Sequence, residues 1–271
     1  MTEPADVVVV GMGPGGEEVA ERLAAAGLDV VGIDGRLVGG ECPYWGCIPS
    51  KMMTRAAGLV TDGRRVVGMA GEAEVRPDWS VVARRIREEA TDDWDDSVAV
   101  ERFEAKGGRF VRGWAHLEGP RRVVVGGRTF EAGTAVVLGV GASAWSPPVD
   151  GLAGTPFWTN REAIEAEEVP HALAVLGGGA IGVELAQVFS RFGADVTVIE
   201  SGPHLVGPEE PEVGLLLAVV LEGGRHRPHR CRRPLRPSRR ARARIPRGRA
   251  DRRRGAGGRP PPGGRRRMGG R

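Results

Sequence analysis

Long apolar runs are missing from this 271-residue chain. Its hydrophobic stretches fall well short of the ~18 residues that a membrane span requires. The first residues, Met1 to Asp6, have no basic segment followed by an apolar one, so no secretory signal is expected. Cysteine is scarce at three residues, too few for a disulfide framework, and the expected setting is cytoplasmic. Lysine is scarcer still, with two lysines against 37 arginines. The residues that are present nevertheless suffice for a globular protein. Apolar types make up 41% of the chain, enough to bury a core, and the length allows one large domain or two ordinary ones.

The formal net charge of +4 conceals two different regions. Residues 225–271 hold 20 arginines and a single acid, Asp251, whereas residues 1–224 hold 19 basic and 34 acidic residues. The whole-chain balance therefore says nothing about a polyanionic partner for the globular part.

Near the N-terminus the β-branched run Val7 to Val10 reads as a buried strand. It leads into Gly11-Met12-Gly13-Pro14-Gly15-Gly16, which fits G-x-G-x-x-G. A helix follows, from Glu17 to Ala26, with Gly27 as its stop. A second strand, Asp29 to Ile33, then ends at Asp34. Glycines in this pattern permit a tight turn and close approach of the backbone to a pyrophosphate, whose charge suits the free N–H groups of a helix N-terminus. The acid is placed to bind a ribose. The whole unit recurs: Leu173 to Leu176 is a strand, Gly177, Gly179 and Gly182 repeat the glycines around Ala180 and Ile181, Gly193 stops the helix, and Glu200 is the acid. Every landmark is displaced by the same 166 residues. Two dinucleotide sites are expected. No Arg follows Glu200 until Arg225, so the second site is expected to take NAD(H) rather than a 2′-phosphorylated relative. Asp34 likewise suits an unphosphorylated ribose, as in FAD or NAD.

Between the two units lies Gly39-Gly40-Glu41-Cys42-Pro43-Tyr44-Trp45-Gly46-Cys47-Ile48-Pro49-Ser50-Lys51. Two thiols five positions apart can close a small redox ring, or can be two buried cysteines acting as small hydrophobes. A zinc site would need further ligands, and the only close cluster, His226, His229 and Cys231, lies in the Arg-rich tail; no metal is expected.

The stretch GGECPYWGCIPSK resembles the redox signature of the class I pyridine nucleotide–disulfide oxidoreductases, the family of dihydrolipoyl dehydrogenase, glutathione reductase and mercuric reductase. The order of motifs is similar too, over roughly residues 5–222. Tyr44-Trp45 departs from the Asn-containing pair of many members, and Gly139-Val140-Gly141 from their Ala-Thr-Gly. The resemblance implies an α/β fold of two Rossmann-like domains, FAD then NAD, the second incomplete, with a small antiparallel β layer. The boundaries expected are 1–150 for the FAD domain with the Cys pair, 151–224 for the partial NAD domain, and 225–271 for the tail. It further implies FAD on Gly11, Gly13, Pro14, Gly15, Gly16, Asp34, Gly40, Glu41, Lys51, Ala115 and Gly141, and NAD(H) on Gly177, Gly179, Ala180, Ile181, Gly182 and Glu200. By position Cys47 corresponds to the thiol against the flavin and Cys42 to the one that attacks substrate, with Lys51 and its partner Glu184 beside the flavin. Such an enzyme moves electrons from NADH through FAD and Cys42–Cys47 to a small disulfide, metal ion or similar acceptor. The alternatives are an NADH oxidase or quinone reductase with structural cysteines, and an inactive nucleotide-binding fragment.

Of the middle segments, Phe110 to Trp114, Val123 to Val125 and Arg128 to Phe130 are expected as short antiparallel strands with a Gly126-Gly127 turn. Ala135 to Leu138 is expected to close the flavin domain. Trp79, Val82, Ile86 and Trp94 are read as packing residues.

The tail has 20 Arg, 8 Gly and 7 Pro and no aromatic residue. It cannot bury enough apolar area to offset ordering, so disorder is expected. A nucleic-acid arm is one origin, though one without stacking residues. Out-of-frame translation of a G+C-rich gene is the other and the preferred one, so nucleic-acid binding is not expected to be functional. On that reading the interface domain of a homodimeric relative and its C-terminal His-x4-Glu are missing, and resequencing across Arg225 in all three frames is expected to recover them.

Overall fold

The computed structural model describes residues 2–223. The Arg-rich segment and the His226, His229 and Cys231 cluster lie outside the described residues. Strand β1 (Thr2–Val10) runs into helix α1 (Pro14–Ala25) and strand β2 (Val30–Asp34). Pro14 opens α1 at a position where no N–H is needed and its fixed φ suits the helix. Gly27, at φ +88°, closes it. β1 and β2 pair in parallel from Val7 opposite Val30 to Val10 opposite Ile33. The side chains of this valine run alternate between two faces. Val8 packs with Val31, Ile33 and Phe130 in one core cluster, while Val7 and Val9 pack with Met12, Ala20 and Phe103 in another.

The chain then forms the short α2 (Glu41–Trp45), the long α3 (Cys47–Val66), α4 (Trp79–Arg85) with a π-helical turn at Ile86–Ala90, and α5 (Ser97–Ala105). Strands β3 (Arg109–Arg112), β4 (Ala115–Leu117), β5 (Arg122–Val125) and β6 (Arg128–Leu138) follow. They complete one six-stranded sheet in the order β3-β2-β1-β6-β5-β4.

Two sequence expectations are corrected here. The Phe110 segment does not join the antiparallel strands: β3 lies parallel on β2, with Phe110 opposite Gly32. The Arg128 and Ala135 strands are one strand, β6, whose first part pairs antiparallel with β5. Its other edge pairs in parallel with β1 along nearly its whole length, from Thr2 opposite Thr129 to Val10 opposite Leu138, with a register shift between Ala5 and Val7. A strand can have an antiparallel neighbour on one edge and a parallel one on the other, so a composition break at Ala132-Gly133 need not end it. The Gly126-Gly127 turn has φ of +55° and +79°, the left-handed pair that a tight hairpin requires.

The second unit begins at α6 (Asn160–Glu165), followed by β7 (Ala172–Leu176), α7 (Ala180–Arg191), β8 (Asp195–Ile199) and α8 (Pro211–Gly223). β7 and β8 form a two-stranded parallel sheet. Val183, Val188 and Phe189 from α7 and Val196 and Val198 from β8 share a core with Met53, Ala57, Trp79 and Ile86 from the first half. Trp79 and Phe189 meet at 5.1 Å between ring centroids, and the Trp79 Nε1 donates to the Ala166 carbonyl at 2.8 Å. Trp94 also packs on this core, but its Nε1 is buried without a hydrogen-bond partner among the described residues. Phe189 is fully buried, so Phe189→Ala is expected to destabilise the fold by about 3–5 kcal/mol in chemical denaturation. No helix among the described residues is long and apolar enough to cross a membrane.

Candidate active site

Local sequence builds the two fingerprint loops alike. Gly11 has φ +92° and Gly177 φ +104°, conformations in which a side chain is strained. A Cβ on Gly16 would sit 1.9 Å from the Gly11 carbonyl oxygen, and one on Gly182 would sit 2.4 Å from that of Gly177. Gly13 and Gly179 precede α1 and α7 with near-identical backbone angles, φ −70° and −72°, and no side chain caps either helix. The first-turn N–H groups, which include those of Gly15 and Gly16 in α1 and of Ala180, Ile181 and Gly182 in α7, therefore have neither an intrahelical nor a side-chain partner among the described residues and suit a phosphate.

The two acids do something the sequence did not reveal. Asp34 accepts from the Met12 N–H and from the Arg36 N–H, both at 2.7 Å. Glu200 accepts from the Gly178 N–H and the Gly202 N–H, both at 2.6 Å. Each carboxylate thus ties its strand end to the second residue of its own glycine loop. Burial pushes the Glu200 carboxyl up, but the Gly202 and Gly178 N–H groups outweigh it, and the net direction is below the ordinary range. A carboxylate has about four lone-pair positions, so either acid retains capacity for a ribose.

Cys42 lies in α2 and Cys47 opens α3, with Gly46 between the helices. Both are free thiols, Cys42 half-buried and Cys47 exposed. The hydrogen bond to Cys47, then burial, raises the Cys42 thiol above its ordinary value. That direction is opposite to the lowered value that a thiol attacking substrate calls for. A Cβ on Gly40 would lie 2.8 Å from the Gly13 Cα, so the turn bearing the thiols rests directly on the first fingerprint loop.

Lys51 Nζ is 3.5 Å from Glu184 Oε2. The two side chains are 67% and 46% exposed, so the contact positions more than it stabilises. Glu41, Gly46, Ile181 and Glu184 share a cleft of about 560 Å³ with Arg161. The cleft wall includes neither thiol. Ala115 starts β4, half-buried. Gly141 is exposed at φ +65°.

Sequence reasoning missed four contributors. Gly139 packs so closely on Gly11 that a Cβ on Gly11 would fall 2.3 Å from the Gly139 carbonyl oxygen. Tyr44 is buried, with its hydroxyl donating to the Asp95 carbonyl at 3.3 Å. Asn160 and Arg161 reach the cysteine turn from α6, Asn160 donating to the Trp45 carbonyl at 2.9 Å. Only the first had a signal, in the glycine pair of Gly139-Val140-Gly141.

Burial first, then the charges of Asp96, Glu17 and Asp95, pushes the Tyr44 hydroxyl from 10.0 up to about 12. Its folded value exceeds the unfolded one, so the stability it contributes is complete below pH ~10 and disappears as the pH rises towards ~12. Tyr44→Phe is expected to remove that alkaline loss of stability, measured as a flatter denaturation midpoint between pH ~9.5 and ~12.

The model of the family described as pyridine nucleotide-disulphide oxidoreductase matches residues 5–223. The chain is 33% identical over 229 residues to the dihydrolipoyl dehydrogenase of Thermus scotoductus, spanning 80% of this chain and 46% of that relative. It is 31% identical over 217 residues to the mercuric reductase of Acidithiobacillus ferrooxidans, spanning 77% and 39%. The chain thus spans about half the length, or less, of these relatives. The structure matches the Cu(II) complex of the HOCl-induced flavoprotein disulfide reductase RclA from Escherichia coli with a TM-score of 0.68 and 24% identity, over 80% of this chain and 47% of that one; this likeness concerns the fold. With both glycine loops, the thiol pair and the family match over most of its length, the chain belongs to the pyridine nucleotide-disulphide oxidoreductase family.

Proposed function

We propose that the chain binds FAD at the first glycine loop and NAD(H) at the second. In this reading it carries the Cys42–Cys47 centre of an oxidoreductase that takes electrons from NAD(P)H, with NADH preferred, through FAD to a small disulfide or similar acceptor. The domain limits 1–150 and 151–224, a homodimeric complete form and a cytoplasmic setting belong to the same proposal. The observation that carries it is the packing of Gly40 on Gly13, which sets the thiol-bearing turn on a phosphate-binding loop. The residues fit the cofactor: Gly16 lies where a Cβ would strike the loop, and the α1 N-terminus has no side-chain cap.

Gly11, Gly13, Pro14, Gly15 and Gly16 would hold the pyrophosphate and Asp34 the ribose, with Gly40, Glu41, Lys51, Ala115 and Gly141 along the rest of the cofactor. Bound FAD would supply the two-electron relay between nicotinamide and sulfur. The protein's own step is thiol exchange. The Cys42 thiolate attacks an acceptor disulfide RS–SR, forming Cys42–S–S–R and releasing one RS⁻; the Cys47 thiolate then attacks the Cys42 sulfur, closing the Cys42–Cys47 bond and releasing the second RS⁻. The two protons lost by the cysteines are taken up by the two RS⁻ groups. The hydrogen bond to Cys47 holds the Cys42 proton in the resting dithiol, so this attack accelerates with pH. Lys51, anchored by Glu184 at 3.5 Å, places a cation beside the same helix turn. Glu200 disfavours a 2′-phosphate at the second loop.

The test is anaerobic titration of the FAD-loaded chain with NADH, with free thiols counted at Cys42 and Cys47 by alkylation and mass spectrometry. Starting from the oxidised protein, both thiols are expected to appear together. Flavin bleaching with no change in either thiol would overturn the disulfide reading in favour of an oxidase or quinone reductase with structural cysteines.

A further inference from the structure

Helix α6 grips both ends of α2, the one-turn helix that carries Cys42. At the first residue, Glu41 pairs with the Arg161 guanidinium and takes a hydrogen bond from Asn160 Nδ2 at 3.4 Å. At the last residue, Asn160 Nδ2 donates to the Trp45 carbonyl at 2.9 Å, and the Trp45 Nε1 donates to Glu165 at 2.5 Å. The Arg161 guanidinium lies over the Trp45 ring, 4.3 Å from its centroid. Arg161 and Glu165 are one turn apart and share a helix face, so the indole is clasped by both. The start of α6 is itself fastened by a capping box between Thr159 and Glu162.

We propose that Arg161 is a positioning residue for the thiol pair: it neutralises the carboxylate of Glu41, the residue that precedes Cys42 in α2, and, through Trp45, holds α2 so that Cys42 meets Cys47. This rests on reading Cys42 and Cys47 as the redox pair. Arg161 has the least exposed side chain of the ion-paired arginines among the described residues, at 22% against 38–83% for the others. Its pairing with Glu41 is thus shielded more than those of the exposed surface pairs. A guanidinium can stack on the indole and pair with a carboxylate at once, which an ammonium cannot do in the same plane. A carboxylate without its cation disfavours ionisation of a neighbouring thiol. The elements packed most closely on α2 are α3 and α6. Their titratable and charged groups nearest the turn are Cys47 and Lys51 on α3 and Arg161, Glu162 and Glu165 on α6, while α2 itself adds Glu41 and Tyr44.

The experiment follows iodoacetamide alkylation of Cys42 and Cys47 separately, by mass spectrometry, across pH 6.5–10 in the full chain. Arg161→Gln is expected to slow Cys42 alkylation at pH 8 about threefold and to move its pH profile upward by about half a unit, because rate follows thiolate fraction. Cys47 is expected to change little. Glu41→Gln/Arg161→Gln, which removes both charges, is expected to bring the Cys42 profile back to that of the parent chain, as a charge-coupled pair requires. Arg161→Lys is expected to restore the profile only in part, and circular dichroism checks that each variant folds. A Cys42 profile unmoved by Arg161→Gln, or a double variant as slow as the single one, overturns the proposal. Oxidation of the parent chain by oxidised dithiothreitol, which takes two electrons and two protons from the pair, tests the underlying reading separately. If Cys42 and Cys47 are not lost together in that reaction, the redox pair itself fails, and the role of Arg161 fails with it, whatever the alkylation profiles show.

Discussion

Cys42→Ser is expected to abolish reversible disulfide formation and to reduce NADH-driven reduction of a disulfide probe by at least about a thousandfold. Loss of a nucleophile removes the step it performs and leaves only residual binding effects. Cys47→Ser is expected to fall as far overall but by a different route. Cys42 can still attack, so a stable mixed disulfide between Cys42 and the probe accumulates and is detectable by mass. The asymmetry follows from the roles proposed for the two thiols, Cys42 as the attacking one and Cys47 as the one that resolves the mixed disulfide. FAD binding is expected to survive both changes, because neither thiol belongs to the glycine loop. Undiminished turnover in Cys42→Ser would remove the cysteines from the mechanism.

The second large effect separates the two nucleotide sites. Gly16→Ala places a methyl group 1.9 Å from the Gly11 carbonyl oxygen, and Gly182→Ala places one 2.4 Å from that of Gly177. Neither contact can be relieved without moving the loop backbone, because the atom struck is main chain. Overpacking of this kind costs about 1–3 kcal/mol, and here it displaces the groups proposed to approach the pyrophosphate. Gly16→Ala is expected to weaken FAD binding by about a hundredfold or more, equivalent to about 2.7 kcal/mol, with NADH affinity nearly unchanged. Gly182→Ala is expected to do the reverse. Titration calorimetry with each nucleotide on each variant checks the crossed pattern. Loss of both affinities in one variant would mean that the loops are not independent sites.

The features read correctly from sequence share a physical character. The glycine loops, the glycine stops after α1 and α7, the short hairpin at Gly126-Gly127 and the acids at the ends of β2 and β8 are each specified within about thirty residues by φ requirements, helix stops or alternation. The repeat at a spacing of 166 residues adds weight because two independent stretches obey the same local rules. Misread features depended on neighbours instead. Residues 128–138 form one strand because β1 continues alongside through a register shift, and Phe110 joins the parallel edge because β2 offers it a free side.

The same division runs through the site. From its sequence alone this protein is recognisable as having two glycine loops of the dinucleotide-binding pattern and a cysteine pair between them in the chain, since glycine conformation and short-range spacing carry that information. Tertiary structure alone decided that Gly40 rests on Gly13, that Asp34 and Glu200 clasp their own loops, that Lys51 meets Glu184 across 133 residues, and that Arg161 reaches Trp45 and Glu41 from α6. Those contacts join residues far apart in the chain, and a side chain's long-range partner is set by how the elements pack, which no local pattern encodes.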